Sequence, residues 1–271
     1  MNKRKLLSAP YLFWAVAFII IPLCMVFYYG LTDKTGAFTL ENIMAIATPE
    51  HSKALWIAIK YSLESTIICL LLAYPLAMIL SKIQVNQHSF IVFIFILPMW
   101  MNFLLRTLAW QTLLEKSGVI NSILNFLGLP TLSIINTPAA IILGMVYNFL
   151  PFMVLPIYNA LIKIDPNVIN AARDLGANSF QTFGRIILPL SLPGVISGIT
   201  MVFVPALTTF VISTILGGSK ILLIGNVIEQ EFTTTGNWHL GSGLSIVLML
   251  FIIVNMVLTA VFDKDGEGNT L

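Results

Sequence analysis

The sequence predicts an all-α integral membrane protein with six transmembrane helices, and three observations carry that prediction. Of 271 residues, 58% are hydrophobic and only 10% charged, with a mean hydropathy of +0.92, outside the range of water-soluble globular domains. Six apolar stretches come near or exceed the roughly 20 residues with which a helix crosses about 30 Å of hydrocarbon. Basic residues also divide unevenly between the connecting segments, as they do across a membrane.

The six spans are placed at Pro10 to Leu31, Leu55 to Leu80, Phe90 to Leu114, Ala139 to Ile162, Ser191 to Leu216 and Leu240 to Phe262, within one transmembrane domain covering 1–271. Lys3-Arg4-Lys5 precedes the first. Its apolar region is too long for a signal peptide and no clear small-residue cleavage site follows, so it reads as a retained helix. With the N-terminus in the cytosol, the inner segments carry Lys3, Arg4, Lys5, Lys82, Lys163, Arg173, Arg185 and Lys264, and the outer ones Lys34, Lys53, Lys116 and Lys220. Both termini are therefore expected inside. Pro22, Pro75, Pro98, Pro151, Pro156 and Pro205 interrupt spans, which neighbouring helices can tolerate. Gly194-Val195-Ile196-Ser197-Gly198 is a small-residue helix contact motif.

Charge and cysteine usage narrow the classes. A net charge of +2 spread thinly along the chain has no concentrated basic face, which argues against nucleic acid as a partner and leaves membrane lipid as the solvent. Cys24 and Cys69 lie inside apolar runs and read as small buried hydrophobes. No phosphate-binding loop, zinc motif or nucleophile turn occurs, and His51, His88 and His239 fall in separate loops. The tail Asp263-Lys264-Asp265-Gly266-Glu267 lacks the length and later ligands of a calcium loop. No catalytic residue, metal site or cofactor is expected in this chain, and an enzyme has no site here.

The segment Lys163 to Leu190 is polar and expected in the cytosol. Asp165 before Pro166 is a helix start, and a short helix is expected to run to Leu175. Gly176 supplies the left-handed position that ends it. Asn178 with Gln181 resembles a capping arrangement for a second short helix through Phe183 and Ile187, closed by Pro189. Val168, Ile169, Ala172 and Leu175 give the first helix an apolar face that another protein, or the lipid surface, could cover.

Asn170-Ala171-Ala172-Arg173-Asp174-Leu175-Gly176, followed after a spacer by Ile186-Ile187-Leu188-Pro189, resembles the cytosolic loop of the membrane permeases of ABC importers. That family carries Glu-Ala-Ala, three residues, Gly, nine residues and Ile-x-Leu-Pro. Asn170 stands where the family usually has glutamate. Leu97 to Arg106, Tyr147 to Pro156, and Gly217-Gly218 leading to Ile224-Gly225-Asn226 resemble the B-type permeases of spermidine/putrescine importers. The resemblance implies the type I ABC importer permease fold, a cell (inner) membrane location, and Val168 to Gly176 as a coupling helix docked on an ATPase. Asp165, Asn170, Ala171, Ala172, Arg173, Asp174, Gly176, Leu188 and Pro189 would form that coupling unit. It further implies a second, C-type permease, two ATPase subunits that hold ATP and Mg, and an extracytoplasmic polyamine-binding protein. Cargo would pass by alternating access. Gly217 to His239 is the preferred receptor-facing loop.

Within the membrane, Glu64 lies nine residues from the outer end of its predicted helix and Arg106 eight from the outer end of the next. At about 1.5 Å per residue, these two, Asn148 and Thr208 share a level roughly 12 to 15 Å below the outer surface. Glu64 and Arg106 either pair across helices and fix their packing, or a carboxylate or polar neighbour receives an ammonium group of the cargo. Trp100, Asn102, Tyr147, Phe149 and Phe210 join them as candidate path residues, with Trp110 more suited to an interfacial belt. Thr214 stands near a position that is acidic in some polyamine permeases. A permease for another small solute, or a secondary transporter working without ATP, is the alternative.

Overall fold

In the computed structural model, residues 9–82, 97–218 and 220–267 are described, and every named element among them is helical. Lys3-Arg4-Lys5, His88 and the opening of the third predicted span, 90–96, lie outside the described residues, as do the side chains of the tail 263–267. Five described helices are long and apolar enough to cross a membrane: Tyr11–Gly30, Pro49–Ser81, Pro138–Leu161, Ser179–Thr208 and Trp238–Val257. They correspond to the first, second, fourth, fifth and sixth predicted spans.

Contacts cluster into two compact units. The first comprises Met1–Leu55 and Asn226–Val254. Its opening span is α1 (Ala9–Ala15), a π-helical turn (Val16–Ile20) and α2 (Ile21–Gly30), followed by the short α3 (Glu41–Met44). The end of α2 is capped from outside. Asn42 Nδ2 donates to the Gly30 and Thr32 carbonyls at 3.3 and 3.0 Å, while His239 Nδ1 donates to those of Tyr29 and Thr32 at 3.0 and 2.7 Å. Helix C-terminal carbonyls have no intrahelical donors, so these side chains satisfy them. Gly30 is buried with no room for a side chain, since a Cβ there would lie 2.5 Å from Ile246 Cδ1. Between α2 and α3, Asp33 accepts from Thr35 Oγ1 at 2.6 Å, Thr35 N at 2.8 Å and Ala37 N at 3.0 Å.

The second unit comprises Trp56–Gly225 and Asn255–Leu271. Its helices are α4 (Pro49–Ser81, from Trp56), α5 (Phe103–Leu114), α6 (Val119–Phe126), α7 (Pro138–Leu161), α8 (Pro166–Asp174), α9 (Ser179–Thr182), α10 (Leu188–Thr208) and α11 (Val211–Leu216), while α12 (Ile224–Thr233) and α13 (Trp238–Glu267) fall largely in the first unit. α7 and α10 form the centre of this unit. They approach at the small-residue motif: a Cβ on Gly194 would sit 2.6 Å from Ala160 Cβ and from the Pro156 carbonyl, and one on Gly198 2.7 Å from Met153 Sδ. Ile141, Met145, Met153, Ile157, Val202 and Leu207 fill the interior around them.

Three predicted boundaries are corrected. The third span is not one helix through its described part. A 3-10 turn (Leu97–Trp100) gives way to extended backbone at Asn102 before α5 begins. Asn102 causes the restart, since its Oδ1 accepts from Leu104 N at 2.8 Å and Leu105 N at 3.3 Å, an N-cap. Secondly, Pro189 closes nothing. α9, a π-helical turn (Phe183–Ile187) and α10 run on without interruption, and the Leu188 amide reaches back five residues to the Phe183 carbonyl. The same arrangement occurs at Ile21, whose amide reaches Val16 just before Pro22. A proline lacks an amide hydrogen and crowds the carbonyl four residues back, and the wider π turn relieves that crowding. Thirdly, the fifth span breaks at Thr209 and Phe210, where the backbone leaves the helix before α11 restarts.

Candidate functional site

The polar loop between the fourth and fifth predicted spans folds as its sequence predicts as far as the capping box. Asp165 accepts from Asn167 N at 2.9 Å and starts α8. Gly176 follows the helix with φ of 86°, a conformation that strains any side chain bearing a Cβ. Asn178 and Gln181 form a reciprocal capping box, each side-chain oxygen accepting from the other's backbone amide at 2.8 and 3.0 Å. The result is a helix–turn–helix with its apolar side chains outside. Leu175 is 89% and Phe180 83% exposed, and Val168 is also exposed. Asn170, Ala171, Arg173, Asp174 and Pro189 face outward, while Ala172 and Leu188 are half-buried. Phe180 was not among the expected docking residues, although its place beside the Asn178 cap marks it in the sequence.

The intramembrane candidates sit on four helices, each with its own described neighbours. Glu64 forms an ion pair with Lys60 one turn earlier on α4, at 3.9 Å, in place of the expected partner Arg106. Lys60 escaped the sequence reading, although its four-residue spacing from Glu64 is the standard signal for such a pair. Arg106 on α5 is 7% exposed. Asn148 on α7 is buried, with Nδ2 donating to the Gly144 carbonyl at 2.9 Å. Thr208 Oγ1 donates back to Val204 and Pro205 carbonyls at 3.1 and 3.4 Å.

The aromatic candidates separate by environment. Phe149 is buried and stacks on Phe103 with centroids 6.5 Å apart. Tyr147 meets Trp110 edge-on at 5.1 Å. Trp100 is exposed. Phe210 sits at the break in the fifth span, and its carbonyl accepts from Thr214 N, Ser213 Oγ and Thr214 Oγ1 at 3.0, 2.9 and 2.9 Å. Gly225 reinforces that break, because a Cβ on it would lie 2.8 Å from the Thr208 carbonyl and 3.0 Å from that of Thr209.

A cleft of about 810 Å³ opens between α7 and α10, with Met99 on its rim. Phe152, Leu155, Leu190 and Met201 make most of its wall apolar, and Asn159, Lys163, Asp165 and Ser197 place polar groups along it. A volume of this order suits a small solute. Asp165 thus belongs to both the loop and the cleft. Asn159, Lys163 and Ser197 were absent from the sequence candidates, although Asn159 shares a helical face with Asn148.

Apolar spans, a central helix pair flanked by a cleft, and an outward-facing helix–turn–helix define a multi-pass membrane protein of the permease class. Residues 61–265 match the binding-protein-dependent transport system inner membrane components, and the chain belongs to that family of transport subunits. It is 39% identical over 264 residues to the spermidine/putrescine transport system permease protein PotB of Haemophilus influenzae, covering 93% of this chain and 92% of that protein. The PotB of Escherichia coli K12 is 38% identical over 245 residues, or 88% of this chain and 89% of the relative. A chain of a bacterial alginate ABC transporter, in complex with an alginate pentasaccharide-bound periplasmic protein, matches with a TM-score of 0.78 at 15% identity, covering 94% of this chain and 91% of that one. That likeness establishes the permease fold.

Proposed function

We propose that this chain is the B-type permease of an importer for polyamines, with spermidine or putrescine as cargo. The observation that carries the reading is 39% identity over 93% of the chain to a PotB permease. Polyamines are flexible polycations with methylene spacers, so a path for them combines apolar walls with scattered acceptor oxygens. The cleft between α7 and α10 has that character.

ATP and Mg are assigned to two partner ATPase subunits. They dock on the unit Asp165 to Pro189, where Val168, Leu175 and Phe180 project apolar surface that water does not reward. Closure of the ATPases shifts this unit, α7 and α10 carry the shift inward, and the path alternates between its two openings. A C-type permease completes the membrane pair, an extracytoplasmic binding protein delivers cargo, and both termini lie in the cytosol.

The test is reconstitution with those partners in proteoliposomes and measurement of labelled spermidine and putrescine uptake. Uptake that requires both ATP and the binding protein is expected. Transport by this chain alone, without ATP, overturns the reading in favour of a secondary transporter.

A further inference from the structure

Asn148 is 1% exposed, and Gly144 fixes which way its amide points. That carbonyl can only accept, so Nδ2 faces it at 2.9 Å and Oδ1 points away. No donor among the described residues reaches that oxygen. A bare acceptor inside a membrane span is costly, and one retained there is suited to a donor that arrives from outside.

Asn148 lies one turn beyond the lining of the cleft, on the face of α7 that forms its wall. Asn148, Phe152, Leu155 and Asn159 recur at helical spacing and share one face of α7, and the last three line the cleft. Asn148 therefore stands one turn, about 6 Å, beyond Phe152. On α10 the corresponding stripe runs through Ser197 and Met201 to Thr208, whose hydroxyl is already committed to the Val204 and Pro205 carbonyls.

We infer that Asn148 Oδ1, one turn beyond Phe152, is the acceptor for one protonated amine of cargo that enters through this cleft. The inference rests on the polyamine reading above. An ammonium group offers donors and no acceptor, and so complements a lone oxygen. Phe152, Leu155 and Met201 provide apolar surface for the methylenes that follow it. A neutral amide oxygen suits passage, because a fixed carboxylate holds a polycation more tightly and delays its release. Asn148 is buried in this arrangement, so cargo reaches it when the helices covering it part.

The test uses the complete importer in proteoliposomes at saturating, spermidine-loaded or putrescine-loaded binding protein. If the unsubstituted importer moves neither polyamine, the cargo reading falls and the subsite falls with it. If it moves either, Asn148→Leu is expected to lower the maximal uptake rate about ten-fold or more, as loss of a hydrogen bond to a charged group does. Asn148→Asp keeps an acceptor and is expected to remain within a few-fold of the unsubstituted rate. Wild-type uptake by an assembled Asn148→Leu complex overturns the subsite while leaving the cargo reading intact. So does equal loss in both variants, which assigns the role to the Gly144 hydrogen bond. Should Asn148→Leu fail to assemble, Asn148→Asp decides through polyamine retained on the purified complex: more than the unsubstituted importer supports the subsite, and an equal amount overturns it.

Discussion

The hydroxyl of Tyr74 lies 2.7 Å from that of Ser191, which ties α4 to the first turn of α10 beside the polar loop. Both residues are buried, and the Tyr74 ring also meets Phe183 edge-on at 5.6 Å. Ser191 keeps a second bond, donating to the Leu188 carbonyl at 3.1 Å. Tyr74→Phe therefore removes one hydrogen bond and leaves the packing in place. It is expected to destabilise the protein by about 1 kcal/mol, and Tyr74→Ala by roughly 3–5 kcal/mol. Thermal unfolding of the detergent-solubilised chain checks the order of the two.

The contact between α7 and α10 predicts an unequal response at two glycines. A Cβ at Gly194 meets the Pro156 carbonyl at 2.6 Å, whereas one at Gly176 has nothing within 4 Å. Gly194→Val is expected to cost about 3 kcal/mol or more, through overpacking against backbone that cannot give way. Gly176→Ala costs only its left-handed backbone, about 1–2 kcal/mol. Folded yield and melting temperature separate the two.

Leu175 and Phe180 are expected to matter to assembly and not to folding. Their exposure means that Leu175→Asp and Phe180→Asp change the stability of the isolated chain by no more than about 0.5 kcal/mol. Co-purification with the ATPase should fall about ten-fold or more, the usual cost of losing an apolar anchor at an interface. Unchanged ATPase recovery with both variants sinks the docking role.

Asp33 carries a pH-dependent contribution to its loop. The Thr35 side-chain hydrogen bond, followed by backbone bonds from Thr35, Ala37 and Gly36, holds its carboxyl below the ordinary aspartate value. A depressed folded value means the contribution is present above the ordinary unfolded value, near pH 4, and is lost as pH falls through the lower folded one. Limited proteolysis between Thr32 and Phe38 should therefore quicken as the pH drops below about 4. In Asp33→Asn that acid-dependent step should disappear.

The polar loop was legible because its signals are local. Asp165, Gly176, Asn178 and Gln181 act within a few residues of themselves, and each does what its chemistry dictates. The break at Thr209 and Phe210 was not, because neither residue interrupts a helix by itself. Gly225, distant in sequence, packs against the helix end there, within 2.8 Å of the Thr208 carbonyl if it carried a Cβ. Shared depth likewise did not decide which side chains meet. Residues at one level of a membrane can face different neighbours, and Glu64 found Lys60 on its own helix. Asn102 illustrates a different gap, since one asparagine oxygen can serve a path or a cap, and here it caps.

The continuity of α9 into α10 has a mechanical corollary. Helix persists for 30 residues from Ser179 to Thr208, roughly 45 Å at 1.5 Å per residue, with the only widened turn close to its starting end. A tug applied at the capping box is thus handed along one continuous strut, which can yield at its widened turn and at Pro193 and Pro205 before it reaches the fracture at Thr209.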